Sequence, residues 1–155
     1  MEPLSPLEEN AFLNLFNRVQ QDAVATNYKN GFTEDDILAD ALETVLNDAR
    51  PDLATKYGKV FKSFRNARVG LKLMLSVGEL GETLEAVRKN LGPDSHCPEY
   101  AAEEVELADA VLRIMNYAAD RKLRLAEAII AKNQYNRDRK DHTKQVRESE
   151  HGKRF

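Results

Sequence analysis

Residues 73–86 read LMLSVGELGETLEA, and residues 103–112 read EEVELADAVL. Each stretch carries a pair of acids three residues apart, and the four acids are Glu79, Glu82, Glu106 and Asp109. On an α-helix this spacing places both carboxylates of a pair on one face, about one turn apart. Two such helices packed side by side would therefore bring four carboxylates together.

Four neighbouring carboxylates require a compensating cation. They repel one another, and burying them without a partner is costly. A donor set made only of oxygens suits a hard cation, which predicts Mg²⁺ with Mn²⁺ as a substitute. Di-iron bundles use Glu-x-x-His pairs, and neither acidic stretch contains a histidine, so magnesium is favoured over iron.

Composition limits the classes of function. A chain of 155 residues is long enough for one domain with its own core, so we expect a single domain over residues 1–155. The net charge of −3 does not favour nucleic acid as a partner. Cys97 is the single cysteine, which favours a reducing, cytoplasmic location. No apolar run approaches the length of a membrane span, so no membrane partner is expected.

Apolar periodicity and stop signals predict an all-α protein, a bundle of about five helices with the carboxylate cluster between two core helices. Ser5-Pro6-Leu7-Glu8 has the pattern of a capping box, and Thr33 opens a helix in the same way. Residues 51–62 are expected to form a short helical piece interrupted at Gly58. The main helices are expected over residues 6–28, 33–50, 65–91, 99–120 and 125–141.

The third main helix carries an apolar stripe with alternating steps of four and three, which is typical of the core seam of a bundle. The stripe consists of Leu73, Val77, Leu80, Leu84, Val87 and Leu91. Gly78 and Gly81 lie beside two of the acids, although glycine inside a helix costs about 1 kcal/mol relative to alanine. Two explanations stay open for these glycines: close helix packing, or room for a ligand.

Polar side chains follow the second acidic pair and continue towards the C-terminus. Glu106, Asp109, Arg113 and Asn116 share one face of the fourth helix, which is either a solvated face or part of a site. From Lys132 onward the chain is basic, with a tail over about residues 142–155. The tail is either a solvated terminus or an arm that closes over a polyanion.

Taken together, these motifs resemble the all-α nucleoside triphosphate pyrophosphatases, the MazG-like superfamily. The acidic pairs are similar to its E-x-x-E and E-x-x-D signature, and Lys132, Asn136 and Arg139 are similar to its K-x-x-x-N-x-x-R segment. The last five residues, HGKRF, resemble the terminus of several members. Gly78 and Asn116 stand where many members carry an acid, which leaves the number of bound metals open.

The resemblance implies Mg²⁺-dependent hydrolysis of a (deoxy)nucleoside triphosphate to the monophosphate and pyrophosphate. It also implies a house-cleaning role, in which unwanted nucleotides are removed from the dNTP pool. It implies that the four acids bind metal and act in catalysis, with Glu79 as the first candidate for orienting the attacking water. It also implies a homodimer or homotetramer. A narrower specificity for dUTP or a modified nucleotide stays open. The alternative is a non-catalytic helical interaction module. The expected substrate-binding residues are Lys132, Asn136, Arg139, Arg113, Asn116 and Lys153.

Overall fold

Five α-helices make up most of the part of the chain that the structure describes. The computed structural model describes residues 3–138. Within that range no helix is both long and apolar enough to cross a membrane, and the strand-like pairing present is an isolated bridge between Pro93 and Ala101. The prediction of an all-α fold with about five helices is therefore confirmed. The helices are α1 (Pro6–Lys29), α2 (Glu34–Ala49), α3 (Pro51–Lys89), α4 (Ala102–Asp120) and α5 (Leu125–Asp138).

The chain divides into two compact units. One is Gln20–Leu123, which holds the last turns of α1 and all of α2, α3 and α4, and therefore both acidic stretches. The other consists of the two end segments, up to Val19 and from Arg124 onward, and includes α5. The single domain over residues 1–155 stays a prediction.

Local signals place the starts of the first two helices. At α1, the Ser5 backbone N–H donates to the Glu8 carboxylate at 2.7 Å and the Glu8 backbone N–H donates to the Ser5 hydroxyl at 3.4 Å, which confirms the capping box. At α2, the helix begins after Thr33 as predicted, but the Thr33 side chain makes no capping hydrogen bond. Its buried hydroxyl oxygen has no hydrogen-bond partner within the described chain. The capping role predicted for Thr33 is therefore wrong.

Helix α3 is a single helix of 39 residues, so the predicted interruption at Gly58 is wrong. Pro51 occupies the first turn, where its missing N–H leaves no hydrogen bond unmade. Packing of α3 against α2 outweighs the cost of about 1 kcal/mol for one helical glycine. The two helices are tied by the Arg65 guanidinium on the Glu43 carboxylate and by the Arg68 guanidinium on that of Asp36. Tertiary contacts therefore override a local break signal.

The apolar stripe of α3 is not the core seam that its spacing predicts. Its members Leu73, Val77, Leu80, Leu84, Val87 and Leu91 are 43–60% exposed. The buried residues on the same part of α3 are Ser76, Glu79 and Ala86. Each stands one position before a member of the apolar stripe, which is a rotation of about 100° around the helix. Spacing identifies a continuous stripe, but it does not tell which stripe a neighbouring helix covers.

A hydrogen-bonded loop reverses the chain between α3 and α4. Asn90 ends α3 in the left-handed conformation with φ of 50°. One oxygen of Asp94 then accepts hydrogen bonds from the backbone N–H groups of His96 and Cys97, both at 2.8 Å. The Ala101 N–H donates to the Glu104 carboxylate at 2.7 Å at the start of α4. These contacts let α4 return along α3. Helix α4 packs against α3 more extensively than α2 does.

An ion-pair network joins α2, α3 and α4. The Lys72 ammonium on α3 lies 2.7 Å from an oxygen of Asp36 on α2 and 2.7 Å from one of Asp120 on α4. The Arg68 guanidinium also donates to Asp36, at 3.0 Å. Burial alone would raise the pKa of Asp36, but the hydrogen bonds from Arg68 and Lys72 outweigh it and hold the pKa below its usual range. The network therefore fixes the two helices that flank α3.

Replacing Lys72 should loosen this junction. We expect Lys72→Met, which keeps the apolar stem, to lower the free energy of unfolding by about 1 kcal/mol, since the pairs are partly exposed and screened by solvent. Arg50→Met is the matched control, because Arg50 pairs only with its exposed neighbour Asp52, and it should be indistinguishable from wild type. Urea unfolding at neutral pH measures both variants.

The pH dependence gives a second check on the same variant. The folded-state pKa of Asp36 is lowered, so its ionised carboxylate stabilises the fold. This stabilisation is fully present above the pKa that Asp36 has in the unfolded chain, and it is lost as pH falls through the folded-state pKa. The destabilisation by Lys72→Met should shrink as the medium becomes acidic. An equal loss at neutral and strongly acidic pH would contradict the network.

Candidate metal centre

Three carboxylates meet where α3 packs against α4. Glu79 and Glu82 are one turn apart on α3, and Glu106 lies on α4. One oxygen from each of the three can be chosen so that all lie within 4.8 Å of one another. This is the only such group of acids, cysteines and histidines found within residues 3–138. The predicted meeting of the two acidic stretches is therefore confirmed for three of the four acids.

The three acids differ in exposure. Glu79 is only 7% exposed and is the one charged side chain that is buried in the described part of the chain. Glu106 is half-buried, and Glu82 is exposed. The cluster therefore has a protected side at Glu79 and an open side at Glu82, from which a cation or a substrate could approach.

Arg113 compensates the buried acid. Its Nε–H on α4 donates to Oε1 of Glu79 on α3, so the bond joins the two helices through a charged pair. Sequence spacing placed Arg113 on the polar stripe of the fourth helix, and the structure adds its partner. A bond between two helices could not be inferred from the spacing within one of them.

The charges of the cluster act on Glu106. Burial raises the pKa of the Glu106 carboxyl, and the negative charges of Glu82, Glu79, Asp109 and Asp94 raise it further. Asp109 is exposed and lies outside the group of three oxygens, although its charge reaches Glu106. Helical spacing could not identify Asp94, because this residue lies in the loop after α3 and not on a helix face.

The donor set fits a hard divalent cation. Three carboxylates supply oxygen ligands only, which is the chemistry that Mg²⁺ and Mn²⁺ prefer. Oxygens bound to one Mg²⁺ at about 2.1 Å lie about 3–4 Å apart, so oxygens within 4.8 Å need only small side-chain rotations to share an ion. The guanidinium on Glu79 shows that this position already takes a positive charge.

The two glycines beside the acids are not required by packing within the chain. A Cβ added at Gly78 or Gly81 would have nothing but open space within 4 Å. Close helix packing, the first of the two explanations, therefore does not account for them in this structure. Room for a ligand beside Glu79 and Glu82 stays the open explanation.

The other predicted binding residues are spread over the chain. Asn116 is half-buried on α4, and its side-chain oxygen is buried with no hydrogen-bond partner among the described residues. Lys132 and Asn136 are exposed on α5, in the unit formed by the end segments, and the Lys132 ammonium lies 4.6 Å from the ring centroid of Tyr135. Arg139, Lys153 and the basic tail lie outside the described residues.

A cleft of about 270 Å³ lies among α2, α3 and α4, but it contains none of the three carboxylates. Its walls include Asp36, Arg68, Lys72 and Asp120, which are the members of the ion-pair network. Because these charges are already paired with one another, the cleft offers less unsatisfied binding chemistry than the carboxylate cluster. We therefore place the candidate site at the cluster.

Comparison with known proteins finds no matching family model, no similar curated protein and no similar solved structure. The resemblance to the MazG-like superfamily stays a prediction from the motifs.

Removing the charge of Glu106 should stabilise the protein when no divalent metal is present. We expect Glu106→Gln to raise the melting temperature by about 1–2 °C in EDTA, the scale of a solvent-screened charge interaction. Glu103→Gln, on the exposed first turn of α4, is the control and should show no such rise. Thermal unfolding followed by circular dichroism measures both.

The effect has a defined pH dependence. A carboxyl whose folded-state pKa is raised favours folding below its unfolded-state pKa, and this advantage is lost as pH rises through the folded-state pKa. The gain from Glu106→Gln should therefore be present at neutral pH and disappear as pH falls below the ordinary pKa of glutamate. A gain that is independent of pH would contradict charge repulsion as its cause.

Proposed function

We propose that this protein hydrolyses nucleoside triphosphates, with dNTPs as the preferred class, to the monophosphate and pyrophosphate in a Mg²⁺-dependent reaction. The observation that carries the proposal is the meeting of Glu79, Glu82 and Glu106 between α3 and α4. The motif resemblance supplies the reaction. The proposal includes a cytoplasmic location and a role in removing unwanted nucleotides from the dNTP pool.

The acids would hold the cation, and the basic residues would hold the substrate. Glu79, Glu82, Glu106 and Asp109 would bind Mg²⁺, or Mn²⁺ in its place. Bound there, the cation would neutralise triphosphate charge and make a water more acidic. Glu79 would orient that water for attack on the α-phosphorus, and its low exposure suits this task because it limits competing water. The resemblance supplies the residues proposed to contact phosphate or sugar, which are Lys132, Asn136, Arg139, Arg113, Asn116 and Lys153.

The direct test is pyrophosphate release from a panel of dNTPs and NTPs, with Mg²⁺ and with EDTA. We expect release that depends on Mg²⁺ or Mn²⁺ and yields the nucleoside monophosphate, which mass spectrometry separates from the diphosphate. Including dUTP and modified dNTPs tests the narrower specificity. Absence of pyrophosphate from the whole panel would overturn the proposal.

A ligand variant should remove activity without unfolding the chain. We expect Glu82→Gln to lower kcat by about 10²-fold or more at saturating Mg²⁺, because a lost ligand disturbs both the position of the cation and the acidity of its water. Glu85→Gln is the matched control: it lies three residues further on α3, pairs with Arg88 and Lys89, and is outside the cluster.

Circular dichroism should show the same helix content in both variants, since Glu82 is exposed and loses no buried contact. Near-wild-type turnover of Glu82→Gln, or equal losses of turnover in the two variants, would contradict a role of the cluster in the reaction.

The exposed apolar stripe of α3 is the observation that motivates the second candidate function, a helical interaction module. Five of its six members lie along one face of α3, Leu91 follows the end of the helix, and all six are 43–60% exposed. Contiguous exposed apolar surface of this kind marks protein interaction sites. A homodimer or homotetramer would cover the same stripe, so oligomer formation is compatible with either function.

Disrupting the stripe should separate the subunits. We expect Leu84→Lys to shift the protein from an oligomer to a monomer in light scattering coupled to size exclusion, because a charge in an apolar interface must be desolvated without a partner. Leu38→Lys on α2 is the control, since Leu38 is similarly exposed, 66% against 60%, and lies outside the stripe. A Leu84→Lys variant with unchanged mass in solution would contradict this role of the stripe.

A further inference from the structure

Arg113 pairs with the buried acid of the cluster. Arg113 lies seven residues after Glu106 and four after Asp109 on α4, so the three share one face of the helix. Its Nε–H donates to Oε1 of Glu79 on the facing helix. The Glu79 side chain is 9% exposed, whereas that of Arg113 is 42% exposed. The acid end of the pair is therefore fixed and the arginine end is open to solvent.

Within residues 3–138, Arg113 is the only cationic side chain that forms a salt bridge with any of the three clustered acids. A buried carboxylate without a compensating charge is costly, so this bond offsets the burial of Glu79. The protein thus supplies one positive charge to the same acid that the proposed cation would use.

This inference rests on the proposed function and concerns the same site. We propose that Arg113 is a tethered counter-ion of the cluster. It holds Glu79 when no divalent cation is bound, competes with the cation for Glu79, and leaves when the cation binds.

Two reasons support exchange over simultaneous binding. Two positive centres within a few ångströms repel each other strongly at a partly buried site. Because the Arg113 side chain is 42% exposed, its head can rotate into solvent without breaking the α3–α4 interface.

Release gives the guanidinium a second task. An arginine binds phosphate oxygens in a bidentate manner, which a lysine cannot do. A displaced Arg113 remains tethered within one side-chain length of Glu79, and so next to any triphosphate bound at the cluster. Arg113 would then be a positioning residue that links the loading of the cation to the binding of phosphate.

The test measures Mn²⁺ binding by calorimetry at pH 8 with no nucleotide present, so that it does not depend on activity. We expect Arg113→Gln to bind Mn²⁺ about three- to tenfold more tightly than wild type, since a competitor is removed. The same variant should melt at a lower temperature in EDTA, because Glu79 has lost its partner. Arg88→Gln removes the same charge from an exposed pair on α3 and is the control for long-range effects.

Unchanged or weaker Mn²⁺ affinity in Arg113→Gln would overturn the inference while leaving the metal site intact. A gain of equal size in Arg88→Gln would also overturn it. If wild type and all variants fail to bind Mn²⁺ at millimolar concentrations, the proposed metal site fails, and the exchange fails with it.

A measurement on the wild-type protein covers the case in which Arg113→Gln does not fold. The Arg113 Nε–H resonance, assigned through Arg113→Lys, reports its bond to Glu79 in ¹⁵N-edited spectra. We expect Mg²⁺ to move this resonance towards the position of solvent-exposed arginines, with the same concentration dependence as binding. A resonance that stays in place at saturating Mg²⁺ would overturn the exchange.

Discussion

The buried charge of Glu79 is the constraint around which the candidate site is built. Glu79 is the single charged side chain buried in the described chain, so its carboxylate cannot rely on water for solvation. Arg113 compensates it from the facing helix. Such a pair is costly to break on one side, because the remaining charge stays buried without a partner. The pair therefore compensates the buried charge in the absence of a bound cation, while the wider packing of α3 against α4 holds the two helices together.

Mostly small side chains are buried on the two helices that carry that pair. The buried positions of α3 and α4 near it are Ser76, Ala86, Ala110, Met115 and Ala118, which are mostly small. Small residues let two helices approach closely enough for side chains from both to meet in one cluster. The larger leucines and valines of α3 lie about 100° away and remain exposed. The site and the apolar stripe are thus two faces of one helix.

These two faces bear on the choice between the candidate functions. A module that only binds other proteins has no need for three acids within 4.8 Å of one another, since their repulsion reduces stability. A metal-dependent enzyme does need them. An exposed apolar stripe beside the acids is compatible with an enzyme that assembles from identical chains, so the stripe alone does not favour the module over the enzyme.

Signals confined to a few neighbouring residues were predictable from the sequence. The capping box at Ser5 and Glu8 and the pairing of Glu79 with Glu82 on one helix face depend only on helical geometry, and the structure has both. Contacts between distant residues were not predictable in the same way. They decided that Gly58 lies inside a continuous helix, that the apolar stripe faces outward, and that Asp94 adds its charge to Glu106.

The sequence by itself determined the helical class, the start of α1 at its capping box and the periodic placement of the acids, because each of these is set by interactions within about one helical turn. Only the tertiary structure decided which face of α3 meets α4, which acids form the cluster and which basic side chain pairs with Glu79. Those outcomes depend on the relative rotation of two helices about their axes. A rotation of this kind is set by the summed packing of both surfaces, and it cannot be inferred from the spacing of residues along one helix.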